Sequence, residues 1–259
     1  MKKFWDLRNS AEGAKLYIYG DIEATQFWGD ELTPDIIRQQ LDACSGPMEM
    51  HINSPGGDVF AGMAIYNLLK RYEDDITVYI DGLAASIASV IAMAGDKIIM
   101  PENALMMIHD AWCMTAGNAT DLRKMADELD RVDNLIRDVY AARSGQDPAA
   151  FEGMMAVETW FTAAEAEAAG LIDEVEQNKA IAAQLIGSIV NIGGQVIPLD
   201  RFAHAEALRD MAEAQADPAD GTHEPDNGEE TQPVEDKDAL ADQRRQFDAL
   251  RRKIIETTN

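Results

Sequence analysis

Over its first 176 residues the chain alternates between short apolar runs and amphipathic stretches with helical spacing. Leu16 to Tyr19 reads as a strand ending at Gly20, and Thr33-Pro34 reads as an N-cap with proline at the first helical position, opening a helix with Ile36, Ile37 and Leu41. Met48 to Ile52 is a second strand, and Gly57 begins a helix carrying Val59, Met63, Tyr66 and Leu69. Ile76 to Ile80 is a third strand, entering a small-residue helix from about Ala85 to Ala94 that Gly95 closes. Ile98 to Met100 and Leu105 to Ile108 are further strands. Leu122, Met125, Leu129, Val132, Ile136 and Val139 then mark one long helix, and Thr162-Ala163-Ala164-Glu165 is a capping box starting the last helix of the unit. Strands that alternate with helices predict an α/β fold of right-handed βαβ units around a largely parallel sheet. In such sheets, sites form at the carboxyl ends of strands.

Composition bounds the partners. A net charge of −25 argues against nucleic acid, which calls for basic patches, and against anionic membrane surfaces. No apolar stretch approaches the roughly 20 residues of a spanning helix, and the start, Met1 to Asp6, has no apolar signal core. The two cysteines, Cys44 and Cys113, offer neither a disulfide framework nor a zinc spacing. A reduced, cytoplasmic protein is the expectation.

The acid is unevenly spread. Residues Asp217 to Asp236 hold eight Asp or Glu and no Lys or Arg, mixed with prolines and glycines. Such a stretch buries too little apolar surface to offset the entropy of ordering it, and it reads as a disordered acidic linker. Beyond it, Leu240, Phe247, Leu250 and Ile254 give an amphipathic helix, with Arg244, Arg245, Arg251, Arg252 and Lys253 as a basic face. The expected organisation is a catalytic domain over 1–176, an extension of undefined structure over 177–216, the linker over 217–236 and the terminal helix over 237–259.

Two glycine-framed segments and one histidine carry chemistry. Asn53-Ser54-Pro55-Gly56-Gly57 and Gly82 to Ser86 both lie at strand ends. A serine hydroxyl needs an adjacent imidazole base to become a nucleophile, and backbone N–H donors where the oxyanion develops. Ser86 at a strand-to-helix turn suits the first role; a small residue allowing close helix packing explains it equally well locally. Gly56 and Gly57 are either a plain tight turn or a backbone that must aim an N–H at a reacting carbonyl. Of the four histidines, His204 and His223 lie outside the unit and His51 lies inside a strand, where a hydrogen-bonded structural role is the simpler reading. His109 ends a strand and enters a polar loop, which makes it the best base. Cys113 reads as a buried structural cysteine, and Lys97 as a solvated charge at a strand entry.

Asn53 to Gly57, Ala61 to Tyr66, Ala84-Ala85-Ser86, Met107-Ile108-His109 and Ala163 to Val175 together resemble the ClpP peptidase family, in unbroken order over about Leu16 to Glu176. Within that family the chain looks most like the ClpP-related head maturation (prohead) proteases of tailed phages. The resemblance implies a ClpP/crotonase-like spiral of βαβ units, carrying here the C-terminal extension.

Matched position by position, Ser86 falls on the nucleophile and His109 on the general base. Glu158 falls where the family has its aspartate, and a glutamate can also hold the imidazole tautomer; Asp110 and Asp173 are next in line. Gly57 and Ile87 match the two oxyanion donors, and Asp58 stands where the family has an apolar residue beside the substrate. No cofactor and no metal are implied. About fifteen residues precede the first strand, so the segments that dock an unfolding ATPase look missing or reduced. The helix from Ala119 to Arg143 matches the handle through which two rings stack, implying a homo-oligomeric ring or double ring.

The expected activity is that of a serine endopeptidase cleaving phage capsid or scaffold proteins during procapsid maturation. It would act in the bacterial host cytoplasm or inside procapsids, without nucleic acid, membrane or ATPase. Three alternatives stand beside it: a degradative peptidase working with an ATPase, a crotonase-fold acyl-CoA enzyme, and a non-enzymatic assembly protein. The acyl-CoA chemistry also uses two backbone donors, but does not need Ser86 and His109 together.

Overall fold

A computed structural model describes residues 5–10, 13–25, 32–177, 183–186, 189–192 and 195–198. The order is β1 (Trp5–Ser10), β2 (Gly13–Tyr19), α1 (Pro34–Leu41), β3 (Met48–Ser54), α2 (Val59–Leu69), β4 (Ile76–Ala85), α3 (Ile87–Ala92), β5 (Lys97–Pro101) and β6 (Leu105–Ile108). Then follow α4 (Ala119–Ser144), α5 (Pro148–Ala156), β7 (Thr159–Thr162), α6 (Ala163–Ala168) and β8 (Glu174–Glu176). Three more strands, β9 (Ala183–Ile186), β10 (Ile189–Ile192) and β11 (Gln195–Pro198), pair antiparallel as a meander inside the extension. The acidic linker and the terminal helix expected from sequence lie outside the described residues, as do His204 and His223.

The main sheet is mixed rather than uniformly parallel. β2, β3, β4, β5 and β8 run parallel in that order. β1 joins one edge antiparallel, so the first strand starts at Trp5 and not at Leu16. Its sequence, Trp-Asp-Leu-Arg-Asn-Ser, alternates too weakly to read as a strand alone; pairing with β2 supplies the missing hydrogen bonds. β4 is twice the length its apolar run suggested, and it has two partners on one side. Thr77–Tyr79 pair with β5, and Leu83–Ala85 pair with β6. β7 then pairs antiparallel with β6.

The core follows from the period-2 pattern of the strands and the helices packed on them. Leu16, Ile18, Met50, Ile52, Val78 and Ile80 point one way and are fully buried. Their neighbours Lys15, Glu49, Tyr17, His51 and Tyr79 form a polar and aromatic ladder on the other face, with Lys15 paired to Glu49 and His51 stacked between two tyrosines. The small-residue helix α3 is buried along its whole length, shorter than the Ala85–Ala94 reading because β4 runs on to Ala85. Long helix α4 starts from an Asn118 capping box and ends at Gly145 with φ 70°. Its last turns bury Ile136, Tyr140 and Ala141, whereas Leu122, Met125 and Leu135 remain exposed. Among the described residues no helix is long and apolar enough to cross a membrane.

Helix α2 meets α3 at Gly62, where an added Cβ would stand 2.2 Å from Ile87 Cγ1. Ile87 Cγ2 and Cβ follow at 3.1 and 3.2 Å, so turning that side chain does not clear the space. Gly62→Ala should destabilise the fold by about 1–3 kcal/mol through overpacking, lowering the thermal midpoint measured by calorimetry. An unchanged midpoint would show that α2 and α3 separate freely.

Candidate active site

Three parallel strands deliver their carboxyl ends to one place. The β4–β6 register matches Ala85 with Met107, so the residues just beyond, Ser86 and His109, emerge side by side. The His109 imidazole Nε2 lies 2.7 Å from Ser86 Oγ. With Nε2 accepting the hydroxyl proton, the ring proton belongs on Nδ1.

Ser86 itself is held in a conformation that serines avoid. It has φ 55° and ψ −132° between the end of β4 and the first turn of α3. A non-glycine residue there costs roughly 1–3 kcal/mol and persists only where its surroundings over-determine it. They do so here: the Ser86 N–H donates to Met107 O at 3.0 Å. Its carbonyl accepts from the Ser89 N–H at 3.0 Å and from the Ser89 hydroxyl at 2.5 Å. The turn throws Oγ out of the sheet towards His109.

The loop after β3 lies against this turn. Ser54 Oγ donates to Gly20 O at 2.6 Å and accepts from the Gly56 N–H at 3.1 Å. Gly56 has φ 95°, and a Cβ there would stand 2.7 Å from Ser86 Cβ and 3.2 Å from Ile87 N. Gly57, at φ 153°, has no room either: its Cβ would lie 2.0 Å from Ile22 O. Close backbone approach therefore requires glycine at both positions, Gly56 against the Ser86 turn and Gly57 against Ile22. Asp58 caps α2 by accepting from the Ala61 N–H at 2.7 Å, so its carboxylate serves the helix first.

Glu158 arrives from the far side. The antiparallel β6–β7 register pairs Ile108 with Thr159, which sets Glu158 opposite His109 one step on. Its backbone is also in the positive region, φ 51°, and one of its carboxylate oxygens accepts from Trp160 Nε1 at 3.2 Å. The carboxylate is close enough to raise the affinity of His109 for a proton, as Asp110 does also. Burial outweighs both and holds the His109 pKa below its ordinary value.

Of the other sequence candidates, Asp110 stays beside His109 and the rest fall elsewhere. Asp173 is structural: it accepts from the Ile98 N–H at 2.7 Å and pairs with Arg143. Asp110 is pushed above the usual carboxylate range by burial. Lys97 pairs with Glu174 at the sheet edge. His51 is held by Asp81, with Nδ1 at 3.0 Å from Oδ2. Cys113, expected to be buried, is exposed in the loop after β6 that Asn118 ends, because that loop lies on the surface.

A cavity of about 420 Å³ opens over Ser86 and His109. Gly57 and Ile87 line it, with Val59, Val90, Ile136, Trp112 and Tyr140 completing a largely apolar wall. Sequence reading passed over Ser89, Trp112 and Tyr140. Tyr140 continues the apolar stripe of α4, and its spacing four residues after Ile136 is indistinguishable from ordinary core.

Residues 14–179 match the family model described as Clp protease. The chain belongs to the Clp protease family. Its Clp relatives include the ATP-dependent Clp protease proteolytic subunit of Ligilactobacillus salivarius, 36% identical over 58% of this chain and 79% of that one. Proteins named ATP-dependent Clp protease proteolytic subunit 3 are similar too. That of Streptomyces coelicolor is 33% identical over 51% of this chain and 62% of its own length. That of Rhodococcus jostii is 34% identical over 49% and 63%. The chain thus spans less than two thirds of the last two relatives. The two stretches of backbone just described, at Gly56-Gly57 and at Ser86, fall inside the Clp match.

The depressed His109 pKa has a measurable sign. The neutral imidazole should persist as pH falls to 6.5, and the rate of Ser86 phosphonylation should drop only at a midpoint below that value. Glu158→Gln removes a charge that favours the imidazolium, so the midpoint should move lower still. Phosphonylation rates across pH 4–8 for both proteins, read by mass spectrometry, check this; a midpoint above 6.5 contradicts it.

Proposed function

We propose that this Clp-family chain is a serine-type endopeptidase in which Ser86, His109 and Glu158 act together. The observation that carries the reading is the 2.7 Å contact between His109 Nε2 and the hydroxyl of a serine held at φ 55°. Ser86 Oγ attacks the scissile carbonyl carbon while His109 Nε2 takes its proton. The oxyanion that forms is stabilised by the N–H groups of Gly57 and Ile87. His109 then returns the proton to the departing amine, leaving an acyl-serine that water releases by the same steps in reverse order of roles. Glu158 favours the Nδ1–H tautomer and stabilises the imidazolium as it develops. The apolar wall of Val59, Val90 and Ile136 suits an apolar side chain next to the cleaved bond.

For the biological substrate we propose capsid or scaffold protein during phage procapsid maturation. The support is the motif resemblance, together with an acidic segment and a basic terminal segment beyond the family match. In that setting the protein assembles as a ring or double ring, with the exposed apolar residues of α4 covered between copies, and acts without an ATPase. A second reading rests on the names of the relatives, which are proteolytic subunits of ATP-dependent proteases. It makes the chain a degradative peptidase with an unfolding partner.

One set of measurements separates these. The purified protein should cleave small peptides and react with a fluorophosphonate at Ser86, and Ser86→Ala should lower cleavage by at least about a thousandfold. Cleavage within tenfold of the unmutated protein would overturn the assignment. Glu158→Gln should lower kcat by about 10²–10⁴, with the wrong tautomer as the cause; a near-normal kcat would remove Glu158 from the mechanism. Co-expression with the capsid protein of the same genome should yield defined truncations by mass spectrometry. Degradation seen only when an unfolding ATPase is added would favour the second reading.

A further inference from the structure

At the turn that carries Ser86, two buried hydroxyls are joined. Tyr140 OH lies 2.8 Å from Ser89 Oγ, and Ser89 Oγ lies 2.5 Å from the Ser86 carbonyl oxygen. Both side chains are in the core, Ser89 at 0% exposure and Tyr140 at 1%. The direction of the chain follows from counting protons. A serine hydroxyl has one, and that of Ser89 is given to the Ser86 carbonyl, so the Tyr140 phenol must donate to Ser89. Burial holds the Tyr140 phenol well above its ordinary pKa, which keeps it a donor. Packing alone does not call for a hydroxyl here. Tyr140 rests against Phe151, with ring centroids 5.7 Å apart, and a phenylalanine would fill that space without bringing a polar atom into the core.

The end point of the relay gives it meaning. The Ser86 carbonyl and the Ile87 N–H are opposite ends of one peptide plane. No peptide bond among the described residues is cis, so that oxygen and that N–H point in opposite directions. Fixing the oxygen therefore fixes where the Ile87 N–H points. Hydrogen bonds into the carbonyl also polarise the plane and make its N–H a better donor. The geometry points to Ser89 and Tyr140 as positioning residues that aim and strengthen the Ile87 N–H as an oxyanion donor. This deepens the peptidase reading and rests on it. It differs from a role in substrate binding because the phenol donates away from the cavity, into Ser89, although the Tyr140 side chain forms part of the cavity wall.

An oxyanion donor acts on the transition state and not on the bound ground state. Tyr140→Phe keeps the ring and removes the donor; Ser89→Ala removes the whole link. Sites are first counted by fluorophosphonate titration, and peptide hydrolysis is then measured per titrated site. Tyr140→Phe should lower kcat by about tenfold and Ser89→Ala by up to about a hundredfold, approaching the loss caused by deleting one oxyanion donor. KM should stay within about twofold, and affinity for a peptide boronate, which mimics the tetrahedral species, should fall in proportion to kcat. On the Ser89→Ala background, Tyr140→Phe should change nothing further, since its route runs through Ser89. A merely structural pair would lower the number of titrated sites while leaving kcat per site and boronate affinity unchanged, and that result overturns the inference. So does additive loss in the double variant. Should one variant fail to fold, the other gives the same reading. An unmutated protein that neither hydrolyses peptide nor reacts at Ser86 brings down the peptidase reading, and this inference with it. A reactive unmutated protein beside unaltered variants brings down the inference alone.

Discussion

Strand β4 pairs with two different neighbours on one side, and the site depends on that division. Its first half lies against β5 and its second half against β6, while β3 follows along the other side with a register shift between Ile52 and Ser54. A single flat sheet would place β5 where β6 is needed. The fork lets β6 finish level with β4, so the turn at Ser86 and the end at His109 are neighbours by register. Because these strands are parallel, their carboxyl ends, with the loop after β3, fall on the same edge. β7 comes in antiparallel and contributes its beginning, Glu158, to that edge. Hydrogen-bond register, a backbone property, has thus fixed the mutual placement of four separate segments.

Strain collects at the same edge. Among the described residues two non-glycines have positive φ, Ser86 and Glu158, and both belong to the candidate site. Neither conformation would survive in isolation. Ser86 is clamped through its N–H by β6 and through its carbonyl by α3. Glu158 follows α5, with its N–H bonded to Met155 O at 3.1 Å, and leads directly into β7. Gly56 and Gly57 belong to the same balance: a side chain at Gly56 would strike the Ser86 turn, and one at Gly57 would strike the Ile22 backbone. The core beneath, from Leu16 through Ile80 to Ile108, is what keeps these local costs from relaxing away.

The contrast between what the sequence disclosed and what it hid follows from the range of the interactions. Strands β2 to β6 and helices α1, α2 and α4 announce themselves by apolar period and by caps that act within four residues, as Thr162 and Glu165 do. Ser86 and His109 stand at strand ends framed by glycine or a polar loop, so their placement was legible locally. β1 was not, since its six residues become a strand only by pairing with β2. Helix α5, with Phe151 and Met155 as its buried contacts, was hidden between stronger signals. The Ser89–Tyr140 link joins residues 51 positions apart, and nothing local distinguishes that tyrosine from its apolar neighbours. Cys113 shows the reverse error: a residue type usually buried sits in an exposed loop, where position on the surface overrides preference.

The electrostatics of His109 divide the work between ground state and transition state. Burial disfavours the imidazolium and is the largest influence on this ring, so the resting base is neutral and ready to accept a proton. Under the peptidase reading the same burial opposes the reaction, because the imidazolium must form as Ser86 attacks. A nearby carboxylate resolves the conflict if its attraction is weaker than desolvation at rest yet grows in value once charge appears. Glu158 raises the proton affinity of His109 without overcoming burial, which fits the first half of that condition. A glutamate extends one methylene further than an aspartate, and its carboxylate is anchored by the Trp160 indole N–H. Under the peptidase reading, stabilisation is then largest where proton transfer is under way, the condition for speeding a reaction and not merely tightening binding.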